Sequence, residues 1–304
     1  MLAACAPGAR VADRSLPEPE GGIGGTGIVG TLTAFGSLQL NGLRVELDEA
    51  TAWSDPFGSR PAGAVAIGMS LTVEATEVEG RLLARRVHVT YPLVGPVEAV
   101  EQGGAVLRVL GIEVRRLDGA TGGIGPGQIV AVSGLWRGGR VEADRIDPAP
   151  PASEAAVSGV FSAGDDGPRV GGVPIDGPAV ADLPEPGSFV TVTGRWADGV
   201  LTTRRLILGR FTGAAGPLER LSIEGYLEPV ATDPGYTISG LGHSFDSAAE
   251  LGPFAEARTL FEGPYTGTFD AATGAGLPQE FAARRAVLDL PAALQAARKR
   301  IARR

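Results

Sequence analysis

The 304-residue chain is 43% apolar, with 46 glycines and 23 prolines, which supplies several small cores and excludes an intrinsically disordered chain. Its net charge is −8, yet residues 298–304 hold five positive charges, so the rest is a more acidic body that repels polyphosphate and excludes nucleic acid as its partner. The single cysteine excludes an internal disulfide, and no stretch approaches the roughly 18 consecutive apolar residues of a spanning helix.

Residues 1–27 read as an anchor and a tether. Leu2-Ala3-Ala4-Cys5 resembles the lipobox at which bacterial lipoprotein precursors are cut and acylated, so Cys5 is the expected lipidation site and the lipid the expected membrane contact. The corresponding address is the bacterial cell envelope, at the outer membrane facing the periplasm. The alternative is a chance run of small residues before a lone cysteine. The Pro/Gly/Glu-rich stretch that follows has no periodicity and suits a flexible linker.

From Ile28 onward apolar and polar residues alternate and glycines punctuate them. Ile28–Phe35 and Ser37–Leu40 read as strands, Asn41-Gly42 as a two-residue hairpin turn and Leu43–Asp48 as a third strand. Gly68–Glu77 and Arg81–Thr90, joined at Glu79-Gly80, complete a set of five. The opening Gly30 has counterparts at Gly95, Gly159 and Gly225, spaced 65, 64 and 66 residues apart, so the pattern predicts one unit used four times. The expected fold is all-β: four tandem five-stranded OB-like β-barrels at 28–92, 93–149, 155–213 and 220–289, followed by a short basic amphipathic α-helix at 290–304. The apolar stripe of that helix, Leu290, Leu294, Ala297 and Ile301, is expected to pack on the last barrel, a membrane surface or partner being the alternative.

The run Gly22-Ile-Gly-Gly-Thr-Gly-Ile28, followed by Gly30-Thr-Leu-Thr-Ala-Phe-Gly-Ser-Leu and Asn41-Gly-Leu-Arg-Val, resembles bacterial lipoproteins of the domain of unknown function 5666 family. The resemblance is specific over 21–90 and weaker, as divergent copies, to about 289. It implies OB-like barrels on a lipid-anchored envelope protein and supplies no catalytic residues.

Few residues suggest chemistry. Gly22-Ile-Gly24-Gly-Thr-Gly27 satisfies a dinucleotide-binding spacing, but a Pro-rich segment precedes it and a strand follows, so no helix N-terminus would face a pyrophosphate. No cofactor is expected. His88 and His243 have no second ligand at metal-binding spacing, so no metal is expected, and His88 reads as a solvent-facing strand residue. Two recurrences stand out: Asp48, Asp118, Asp176 and Asp246 close each third strand, while Arg86, Arg145, Arg205 and Arg285 recur in each fifth. Alternation puts Arg86 on the face of Leu82 and Ala84, where an unpaired guanidinium is costly, so each Arg is expected to bond the Asp or the carbonyls of its own barrel. The alternative is a solvated Arg and an Asp that caps the following loop. Trp136 and Trp196 occupy equivalent places beside the turn between fourth and fifth strands, as candidates for ligand or partner contact or as lids of their own barrels.

These features predict a non-enzymatic, lipid-anchored envelope protein whose barrels bind or scaffold another envelope component, a protein before anything else. A carbohydrate- or peptidoglycan-binding module using Trp136 and Trp196 is the alternative, with a glycan as its partner.

Overall fold

The computed structural model describes residues 24–117, 123–149, 154–229, 236–238, 257–266 and 273–276. Among these residues the chain is all-β, with two 3-10 turns at Gln102–Gly104 and Pro178–Asp182 and no α-helix. The expected helix at 290–304, Cys5, Asp118, His243, Asp246 and Arg285 lie outside the described residues.

The first unit contains β1 (Gly25–Thr31), β2 (Leu38–Leu40), β3 (Leu43–Glu46), β4 (Ala52–Asp55), β5 (Gly58–Ser59), β6 (Ser70–Val78) and β7 (Arg81–Val89). The second contains β8 (Leu93–Glu101), β9 (Val106–Val109), β10 (Ile112–Arg116), β11 (Ile129–Arg137) and β12 (Arg140–Pro148). A third comprises β13 (Ala155–Gly164), β14 (Gly167–Val170), β15 (Val173–Asp176), β16 (Phe189–Ala197) and β17 (Val200–Leu208). Beyond it run β18 (Leu218–Gly225), β19 (Leu227–Pro229), β20 (Tyr236–Ile238), β21 (Thr259–Pro264) and β22 (Thr273–Gly276).

In the second unit the order β8-β9-β10-β12-β11 returns to β8 and closes a five-stranded barrel. The order recurs in β13-β14-β15-β17-β16, where β16 pairs back onto β13. In both, the third strand runs parallel to the fifth, Val114 opposite Val141 and Ile175 opposite Leu201. The first unit curls the same way, but only an isolated bridge between Ala34 and Gln39 links the end of β1 to β2.

Four separate barrels in tandem are not what the described residues form. β18 lies parallel to β1, β21 pairs with β18 and β22 with β21, so the last stretch extends the first unit's sheet. β8 also pairs with β13, Leu93 opposite Val157, which joins the second and third units into one ten-stranded sheet. Burial drives this fusion: all of β1 is buried, Ile28 facing the first unit's core and Val29 facing Leu221, Ile223 and Phe261 beyond it. The glycines at the start of β1 permit that contact. A Cβ at Gly24 would strike Glu219, and one at Gly27 would meet Phe211 and Leu221 at 2.7 Å. The Gly24–Gly27 part of the apparent dinucleotide spacing is therefore a close packing seam.

The opening glycines have a related cause. The hairpins between second and third strands turn at Asn41-Gly42, Leu110-Gly111 and Gly171-Gly172, all with positive φ. The first residue of the turn leans over the opening glycine: Asn41 over Gly30 and Leu110 over Gly95. In the third unit Gly171 has no side chain to offer, and the Trp136 ring of the second unit covers Gly159 instead. Gly171→Ala, whose Cβ would run into that ring, is expected to cost about 1–3 kcal/mol by overpacking. Gly172→Ala, at similar φ but only touching Ile112 Cδ1, should cost less in the same urea titration.

Candidate functional site

The hairpins β6–β7, β11–β12 and β16–β17 each carry a β-bulge at an equivalent place. Glu74 faces Arg86 and Ala75 faces Ala84; Ser133 faces Arg145 and Gly134 faces Ala143; Thr193 faces Arg205 and Gly194 faces Thr203. The extra residue is thus Arg85, Asp144 or Arg204. A bulge reverses the alternation, so Ala84 and Val87, three apart, both enter the core while Arg86 turns outward. The expected shared face of Arg86 with Ala84 is overturned for this reason.

Nor does Arg86 pair with Asp48. Its Nη1 donates to Glu74 Oε1 at 3.1 Å and to the Arg210 carbonyl at 3.3 Å. Asp48 caps its own loop, accepting from Ala50 N and Thr51 Oγ1, with Arg85 Nη1 3.9 Å away. Arg145 grips Asp147 through Nε and Nη2 and donates to the Ile67 carbonyl of the first unit. Asp176 and Arg205 are exposed, and the Asp176 carbonyl accepts from Thr203 Oγ1. Arg86, Arg145 and Arg205 follow the bulge, and the first two reach outside their own unit.

Two buried charged clusters result. Glu74 is fully buried: Oε1 accepts from Arg86, Thr212 N at 2.9 Å and Thr212 Oγ1 at 2.8 Å, and Oε2 from Ala214 N at 2.8 Å. This ties the segment after the third unit onto the first. Beside it Arg210 donates to Thr72 Oγ1 and lies 3.8 Å above the Phe189 ring, and burial pushes its pKa down to about 9. In the second cluster Arg258 donates to both Asp144 oxygens at 2.8 and 2.7 Å and to Thr31 Oγ1, with Nε 2.6 Å from Glu224 Oε1. Glu224 Oε2 also accepts from Thr31 N. Burial opposes the Arg258 charge, but Asp144 and Glu224 outweigh it and hold the pKa above the usual arginine value. Thr31, Asp144 and Glu224 belong to three different parts of the chain, which this one guanidinium joins.

His88 is buried, contrary to its solvent-facing expectation, because β4 lies parallel along β7 and sets Ser54 opposite it. Ser54 Oγ is 2.9 Å from His88 Nδ1, but burial, aided by Arg86 and Arg210, pushes the imidazole pKa down to about 3. So weak a base does not take a seryl proton near neutrality, and the contact secures the ladder. The unfolded chain binds a proton that folded His88 refuses, so this contribution is complete above the unfolded pKa of 6.5 and is lost as pH falls toward 3. Denaturation between pH 6 and 4 should show stability falling by up to about 1.4 kcal/mol per pH unit from this group, and His88→Asn should flatten that slope.

The tryptophans both cross the junction of the second and third units. Buried Trp136 donates through Nε1 to the Ser158 carbonyl at 2.8 Å, and half-buried Trp196 donates to Glu98 Oε1 at 3.1 Å. Neither merely covers its own barrel, and Trp136 has no free face to offer a ligand. Beside Trp196 lies a cavity of about 280 Å³. No group of three or more His, Cys, Asp or Glu able to hold a metal occurs among the described residues. No helix among them is long and apolar enough to cross a membrane.

The bulge-borne clusters were missed in the sequence because bulges leave no composition mark. Only Gly134 and Gly194 hint at them: a Cβ there would strike the backbone of Glu142 or Thr202.

No curated protein and no solved structure matches the chain. The profile of one family matches residues 26–88, the span of β1–β7 in which Gly30, Asn41 and the Glu74–Arg86 pair are built. That segment is a domain of unknown function of the DUF5666 family.

Proposed function

We propose that this chain is a non-enzymatic, lipid-anchored protein of the bacterial cell envelope, held at the outer membrane through Cys5, whose welded β-units scaffold another envelope protein. In this reading one copied OB-like unit gave rise to all four stretches, the last having diverged furthest. The observation that carries it is the distribution of exposed apolar side chains. Among the described residues six large ones are exposed, and four of them, Phe35, Leu47, Phe57 and Val78, belong to the DUF5666 segment. Isolated exposed apolar residues are ordinary, but a concentration on one part of a rigid body suits a partner surface.

The test uses the intact protein in its native membrane, with a photoreactive residue at position 35 or 57. The expected result is one discrete cross-linked protein that disappears when Phe35→Ser and Phe57→Ser are combined, with the circular dichroism unchanged. Mass spectrometry of the Cys5 peptide should show acylation. Absence of any specific cross-link from both positions would remove the scaffold reading.

A further inference from the structure

The junction between the second and third units has a local two-fold character that is broken on one side. Gly95 corresponds to Gly159 as the opening glycine, so Leu93 and Val157 are equivalent, and these two residues pair with each other across the antiparallel β8–β13 contact. Trp136 and Trp196 are likewise equivalent and reach across the junction in opposite senses. On one side Gly171 leaves room over Gly159, and Trp136 fills it, bonding the Ser158 carbonyl. On the other side Leu110 already sits over Gly95, so Trp196 is kept out and bonds the Glu98 carboxylate instead. The displaced indole leaves the cavity of about 280 Å³, open to solvent and walled by Trp196, Pro96, Ile129 and Ala155.

We propose that this cavity binds one uncharged pyranose ring of a glycan. Its size stands at the lower edge of the roughly 300–1,000 Å³ of small-molecule sites, which suits a single ring. An indole whose N–H is already held by Glu98 contributes its apolar face to the wall, and such a face packs on the C–H surface of a sugar. Glu154 and Arg204, paired at 2.9 Å, line the same cavity and offer an acceptor and donors for ring hydroxyls, and Arg195 lies beside them. Two carboxylates, Glu98 and Glu154, balance two guanidiniums, Arg195 and Arg204, so the site has no net charge with which to select phosphate or a cation. Trp136 takes no part, being sealed in its own seat. The proposal is independent of the protein scaffold, since it involves neither Phe35 nor Phe57.

The test is calorimetric titration of the full chain with chitotriose, cellotriose and maltotriose, and separately with inorganic phosphate. Saturable binding of at least one oligosaccharide is expected, weakened by about tenfold or more in Trp196→Ala and also weakened in Arg204→Gln. Arg204 is exposed, so Arg204→Gln decides the matter if Trp196→Ala fails to fold. The proposal is overturned if none of the three sugars binds at about 10 mM. It is equally overturned if both variants bind as the native chain does, or if phosphate displaces the sugar.

Discussion

Glu74→Gln is expected to destabilise the protein by about 3–5 kcal/mol, the range found when one partner of a buried ion pair is removed. The carboxylate is inaccessible and accepts from Arg86, Thr212 N, Thr212 Oγ1 and Ala214 N. An amide is neutral and has one acceptor oxygen in place of two. It therefore leaves Arg86 without its counter-charge, and its own N–H groups confront backbone donors. The loss is local as well as global: amide hydrogen exchange at Thr212 and Ala214 should quicken first, because Glu74 is what holds that segment on the first unit. Urea denaturation with an unchanged m-value would read the stability term. A loss below about 1 kcal/mol would mean that the carboxylate is hydrated in solution and the segment free of it.

The second large effect is Arg258→Met, also expected to cost about 3–5 kcal/mol. The substitution keeps much of the apolar stem and removes the charge shared by Asp144 and Glu224, both almost wholly buried. Two buried carboxylates would then lose the cation they share, a worse state than the absence of all three charges. Acidification protonates the stranded carboxylates, so the gap between Arg258→Met and the native chain should narrow as pH falls. A triple variant, Arg258→Met with Asp144→Asn and Glu224→Gln, is expected to regain part of the lost stability.

Strands and turns were legible in the sequence because their causes are local. Alternation marks Leu43–Glu46 and Ser70–Val78, and Asn41-Gly42 specifies its hairpin by two positive φ angles. The equal spacing of Gly30, Gly95 and Gly159 reflects one steric need, a side chain lying over each glycine. What escaped was the consequence of a single extra residue. Simple alternation puts Arg86 on the wrong face because the bulge at Arg85 resets it, and a sequence with Arg at two successive positions gives no sign of which one is extra. The true partner of Glu74 was equally hidden: Thr212 lies 138 residues away, and no periodicity encodes a contact between a strand and a distant segment. The separateness of the units failed for a related reason. Each barrel-like pattern is readable by itself, whereas the parallel lie of β18 on β1 depends on glycines that looked like a linker.

Buried charge clusters and shared strands weld the units into one cooperative body. Scanning calorimetry of the intact chain measures this most directly, by comparing the calorimetric enthalpy with the van't Hoff enthalpy. One transition is expected, with the two enthalpies in agreement. Two or more resolved transitions, with Glu74→Gln shifting only one of them, would contradict it.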